Sequence, residues 1–110
     1  MMYLTGTADY LMGGMDASGR RVAFDRTSAD AADDQYLITI KGAEHMAFSD
    51  NPRGITGEAL QRDPAHHQWI LAATTNFWNA YLRGDQKARE WLQSDALPAL
   101  SNQQCMLEHK

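Results

Sequence analysis

An α/β fold is predicted by three features of the sequence. Two short, nearly continuous apolar runs, Met1 to Thr5 and Tyr36-Leu37-Ile38-Thr39-Ile40, suit strands buried on both faces. A polar crossover joins them, and strand, crossover and strand make a βαβ unit whose strands are parallel neighbours. From Asp63 to Gly84 apolar residues recur at spacings of three and four, which predicts a long amphipathic helix laid on the sheet.

The elements follow in order. Residues 6 to 15, with three glycines, read as a loop. Asp16 to Asp25 reads as a short helix with Asp16 as its N-cap and Val22, Ala23 and Phe24 inward, though Gly19 disfavours it. Ser28 to Asp34 is a polar surface connection into the second strand. A long loop, residues 43 to 62, holds Pro52, Gly54 and Gly57, and loops of that length in compact domains tend to carry function. Asp63-Pro64 opens the long helix, since the Asp side chain accepts from free helix donors and proline at the first position has no N–H to waste. Ile70, Ala73, Phe77 and Tyr81, widened by Trp69, Ala80 and Leu82, form its apolar face, and Gly84 stops it. Asp85 caps a further short helix with Ala88, Trp91 and Leu92 inward, ending before Pro98.

Composition narrows the function classes. With 110 residues, 44% hydrophobic and 22% charged, the chain can bury one small core. A net charge of -4 and no clustered Lys/Arg run argue against nucleic acid or an anionic membrane surface as partner. The start, Met1 to Gly6, has no basic flank and too short an apolar run for a signal peptide or a membrane span. Cys105, the single cysteine, fits no disulfide or metal pattern and reads as an inert thiol in a C-terminal tail.

Two residues carry the candidate chemistry. Asp9, in Gly6-Thr7-Ala8-Asp9, and His45, in Gly42-Ala43-Glu44-His45, each follow the C-terminal end of a strand, the edge where open α/β sheets build their sites. Parallel neighbouring strands bring the two loops together. A carboxylate on one imidazole nitrogen fixes the tautomer and frees the other nitrogen to take a proton from a hydroxyl. Each residue alone also fits a turn cap or a hydrogen-bonded loop histidine. Asp16, Asp50 and Glu44 are further carboxylates that could hold His45, but Asp9 is preferred. Tyr10, Leu11 and Met12 after Asp9, and Met46 and Phe48 after His45, are candidates for an apolar substrate wall. His66-His67 lacks metal-ligand spacing, because adjacent helical residues point about 100° apart. No metal or cofactor is expected. Acid then base is the order of the α/β-hydrolase fold, with a serine upstream of both, yet no Gly-x-Ser-x-Gly occurs in the chain.

The same residues resemble a known family, the dienelactone-hydrolase-like and acetylhydrolase-like branch of the α/β-hydrolases. The similar stretches are Leu4-Thr5-Gly6-Thr7-Ala8-Asp9, then Tyr36 to Ile40 with Gly42-Ala43-Glu44-His45-Met46-Ala47-Phe48. Thr74 to Asp85 and Ala88-Arg89-Glu90-Trp91-Leu92 complete the likeness. It implies the C-terminal part of an α/β-hydrolase sheet, with the penultimate strand and acid loop, the last strand and histidine loop, and the final helix. It further implies Asp9 as acid and His45 as base of a triad acting on a small-molecule carboxylic ester. The family's serine elbow and oxyanion-hole residues have no counterpart here, which implies a missing N-terminal portion of the same fold as partner. The alternative is a catalytically inert truncated or split-gene product that is a structural or binding fragment. An elbow bearing an aspartate or cysteine upstream would keep the fold and change the chemistry.

Overall fold

The structure, a computed structural model, describes residues 1–10, 17–31, 34–50 and 63–110. Leu11, Met12, Asp16 and the Pro52, Gly54 and Gly57 loop lie outside the described residues. Strand β1 runs Met2–Ala8 and β2 runs Tyr36–Glu44, each extending past its predicted end. They pair in parallel from Met2 opposite Tyr36 to Gly6 opposite Ile40, as the crossover requires. A third strand, β3, Cys105–His109, pairs antiparallel with β2, so the sheet order is β1-β2-β3. The chain is therefore a small mixed α/β domain with a mixed sheet, not a two-stranded one, and Cys105 is a buried strand residue rather than part of a tail.

Helices cover both faces. In place of the single Asp16 to Asp25 helix stand two short ones, α1 (Ala17–Arg20) and α2 (Val22–Arg26), broken at Arg21. Phe24 is buried and packs edge-on against Tyr3, while Val22 and Ala23 face solvent, a correction that a single-turn helix with one inward position explains. The opposite face carries α3 (Pro64–Leu82), α4 (Gln86–Leu92) and α5 (Ala96–Leu100). Asp63 Oδ1 accepts from the Ala65 N–H at 2.9 Å, and Asp85 Oδ1 accepts from the Lys87 and Ala88 N–H groups. Gly84, at φ +68°, makes the left-handed stop between them. Leu82 is exposed, so the inward face of α3 is narrower than its apolar sequence. The last helix begins beyond the predicted stop and contains Pro98 in its first turn, where proline is tolerated. Among the described residues no helix is long and apolar enough to cross a membrane.

The main core lies between the sheet and α3 to α5. Ile38, Ile40, Ala43, Ala73, Leu97 and Cys105 are buried there, with Met2, Leu4, Trp69, Ile70 and Leu107 packed against them. A second cluster, Tyr36, Ala80, Ala88 and Leu92, seats α4 beside α3.

One irregularity decides where the site falls. Between Gly6 and Ala8 the register slips, so that Ala8 pairs with Glu44 and β2 carries two extra residues. Gly42 takes φ +75°, and its N–H donates to Thr7 Oγ1 at 2.8 Å. The bulge folds Ala43 onto Gly6 so closely that a Cβ on Gly6 would penetrate the Ala43 carbonyl and side chain. Gly6→Ala is therefore expected to cost about 3 kcal/mol, the upper range for overpacking against a rigid neighbour. Gly42→Ala meets open space and is expected to cost about 1–2 kcal/mol, the left-handed backbone penalty alone. Denaturant midpoints of the two variants check the ranking, and equal losses would contradict it.

Candidate active site

Both candidate residues stand at the C-terminal edge of the parallel pair. Asp9 follows β1, with its N–H donating to the Gly6 carbonyl at 3.0 Å, and its side chain is buried. His45 opens a single 3-10 turn, His45–Phe48, directly after β2, and its side chain is half-exposed. Had β2 continued without its bulge, His45 would lie two residues beyond the level of Asp9 along the strand direction.

Asp9 Oδ1 lies 3.0 Å from His45 Nδ1. The second carboxylate oxygen, Oδ2, accepts from the Thr5 hydroxyl at 3.1 Å, and Thr5 is itself buried in β1. Thr5 is an i−4 neighbour of Asp9 that fixes the carboxylate plane, and nothing in an isolated sequence marks it for that role. Arg20, from the end of α1, also reaches in, its Nη2 3.2 Å from Asp9 Oδ1 and 3.2 Å from His45 Nδ1. Thr5 and Arg20 each supply a donor to the buried carboxylate, and the His45 ring lies against the same oxygen as Arg20.

This arrangement can orient an imidazole and stabilise a positive charge on it. The ring nitrogen away from Asp9, Nε2, is the one that could exchange a proton with a bound group. Glu44 is exposed on the strand, and of the candidate acids it is Asp9 that lies within hydrogen-bond distance of His45 among the described residues, Asp16 lying outside them. Of the proposed wall, Tyr10 is exposed and turned back on the strand end, its N–H donating to the Ala8 carbonyl. Met46 is half-buried. Phe48 packs against the main core, which corrects its reading as a pure loop residue. It also lines a cavity of about 330 Å³ with Ala47, Asp50, His67, Ile70 and Thr74.

Several other reactive groups have structural surroundings. Ser94 and Ser28 accept from the Ala96 and Asp30 N–H groups, and Ser101 is buried between Pro98 and Cys105. Burial pushes the Cys105 thiol above its ordinary value, with a smaller opposing effect from Ser101, so it is a poor nucleophile. His66 packs against Trp69. Among the described residues no three His, Cys, Asp or Glu side chains cluster as a metal site would need.

Comparison with protein-family models, curated proteins and solved structures gives no match.

Proposed function

We propose that the chain supplies the acid, Asp9, and the base, His45, of a serine-hydrolase triad, as the C-terminal part of an α/β-hydrolase fold acting on a carboxylic ester. The observation that carries this reading is the 3.0 Å approach of the buried Asp9 carboxylate to the Nδ1 of half-exposed His45 at the ends of neighbouring parallel strands. In the reaction, a serine hydroxyl attacks the ester carbonyl while His45 takes its proton and then delivers it to the leaving alcohol. Asp9 orients the ring and stabilises its charged form. The serine and the oxyanion donors come from strands beyond the outer edge of β1.

That edge supports the reading. Among the described residues no strand pairs with the outer side of β1, and beside it Met1, Met2, Leu4, Thr74, Phe77 and Trp78 line an apolar cleft of about 320 Å³. Trp78 and Leu71 are exposed on the adjoining helix. Open edges of buried-type strands are normally paired or covered. The 110 residues alone are thus expected to unfold with less than about 5 kcal/mol of stability and to aggregate. Denaturant unfolding of the purified chain checks this, and a cooperative transition of the size seen for complete domains would contradict it. The reading itself is tested in the coding sequence directly upstream of Met1. A Gly-x-Ser-x-Gly between an apolar strand and a helix is expected, and a start at Met1 with no elbow would favour the inert fragment instead.

A further inference from the structure

Arg20 makes two demands on one atom. Its Nη2, Asp9 Oδ1 and His45 Nδ1 form a triangle with sides of 3.2, 3.2 and 3.0 Å. A guanidinium has donors and no acceptor, so its hydrogen bond to Nδ1 requires a lone pair there. A carboxylate only accepts, so its hydrogen bond from Nδ1 requires a proton there. One ring nitrogen cannot meet both conditions, and the two contacts belong to two tautomers. With the proton on Nδ1, the ring donates to Asp9 and Nε2 has a free lone pair. With the proton on Nε2, Arg20 donates one Nη2 hydrogen to Asp9 and the other to Nδ1, and Nε2 can accept nothing.

Arg20 is held where it can enforce the second arrangement. Its side chain is about three-quarters buried, 24% exposed, so its charge stays close to the pair. Its Nε is buried without a partner among the described residues, so the guanidinium is not held as a fully satisfied ion pair. Its alignment on Asp9 and His45 is the compensation that the structure offers.

We propose that Arg20 is a positioning residue that selects the tautomer of His45, holding the ring proton on Nε2 and the acid–base pair switched off until the guanidinium withdraws. The consequence for catalysis rests on the hydrolase reading, whereas the tautomer does not. Asp9 then has two competing partners, and the state of the site depends on which of them takes its Oδ1.

Long-range proton–nitrogen correlation spectra of the ¹⁵N-labelled chain, at roughly pH 8.5 and above the ordinary titration range of histidine, test this in wild type and Arg20→Met. Wild-type His45 is expected to carry its proton on Nε2, and the variant on Nδ1. A second measurement uses less protein: ethoxycarbonylation of each histidine by diethyl pyrocarbonate, whose carbonyl is attacked by the unprotonated ring nitrogen with loss of ethyl carbonate, mapped by mass spectrometry. His45 is expected to react about tenfold faster in Arg20→Met, what one charge-assisted hydrogen bond is worth, with His66, His67 and His109 unchanged. If those three reference rates rise, Arg20→Gln replaces the unfolded variant in the same comparison. A wild-type proton on Nδ1, or equal His45 rates in the folded variant and wild type, overturns the proposal. A tautomer swap without serine-directed labelling of the completed protein would sink the hydrolase reading and leave the role of Arg20 intact, and labelling without a swap would do the reverse.

Discussion

Replacing Asp34 with alanine is expected to cost about 3–5 kcal/mol, the penalty for leaving the partners of a buried charge unpaired. Asp34 lies at the N-terminal end of β2, opposite the edge that carries Asp9 and His45, and is 5% exposed. Its Oδ2 accepts from the Tyr81 hydroxyl of α3 and faces Arg89 of α4 at 2.6 Å. Its Oδ1 accepts from Gln93 at 3.1 Å and lies 3.1 Å from His109 of β3. One carboxylate thus ties β2 to α3, α4 and β3, and the Tyr81 hydroxyl further contacts that of Tyr36 at 2.8 Å. With the small total stability expected of the chain, Asp34→Ala is expected to leave most molecules unfolded at room temperature. Circular dichroism in a denaturant series measures the loss, and a change within about 0.5 kcal/mol, as for a surface site, would contradict the structural role.

The same cluster sets a pH window. Burial raises the Asp34 carboxyl, but hydrogen bonds from Tyr81 and His109 and the charge of Arg89 together outweigh it and hold it below its ordinary value. A carboxylate depressed on folding stabilises the fold above its unfolded value, roughly pH 4, and that contribution is lost as pH falls through the folded value. Burial, and then donation to Asp34, push the Tyr81 hydroxyl far above its ordinary value. Its contribution is present below about pH 10 and is lost as pH rises further. The acid limb of the stability profile is expected to weaken in Asp34→Asn, measured by denaturant unfolding across pH.

Much of the fold was legible in local chemistry, and the exceptions have causes. Asp63-Pro64, Gly84 and Asp85 act as caps through contacts within a few residues, so their pattern needs no tertiary context. The third strand follows a turn with neither glycine nor proline, in which Asn102 and Gln103 both take left-handed φ values. Ser101 holds that turn by accepting from the Cys105 N–H and donating to the Pro98 carbonyl, an arrangement with no sequence signature. Asp9 and His45 could be paired in advance because parallel strands deliver their loops to one edge. Thr5 and Arg20 could not, since one acts across a turn and the other across the crossover. Asp34 read as the end of a polar connection, and its partners come from elements 47 to 75 residues away.

The second large effect concerns turnover. Triads act as units, so an acid and a base without a nucleophile have no covalent route. The 110-residue chain is therefore expected to hydrolyse activated esters no faster than its His45→Ala variant and to resist serine-directed phosphonates. On the proposed reading, in a polypeptide where further strands complete β1 and bring the nucleophile, His45 would carry the proton for both half-reactions. If that reading holds, His45→Ala there is expected to lower kcat by about ten-thousandfold or more, the loss seen when a triad loses its base, with KM little changed.

The most direct measurement is ester turnover of that completed polypeptide, with and without His45, beside the 110-residue chain. Expected are activity and phosphonate labelling in the completed protein, near-complete loss of turnover in His45→Ala, and none in the short chain. Undiminished turnover without His45, or His45-dependent turnover by the 110 residues alone, would contradict the assignment of Asp9 and His45 as acid and base of a serine triad.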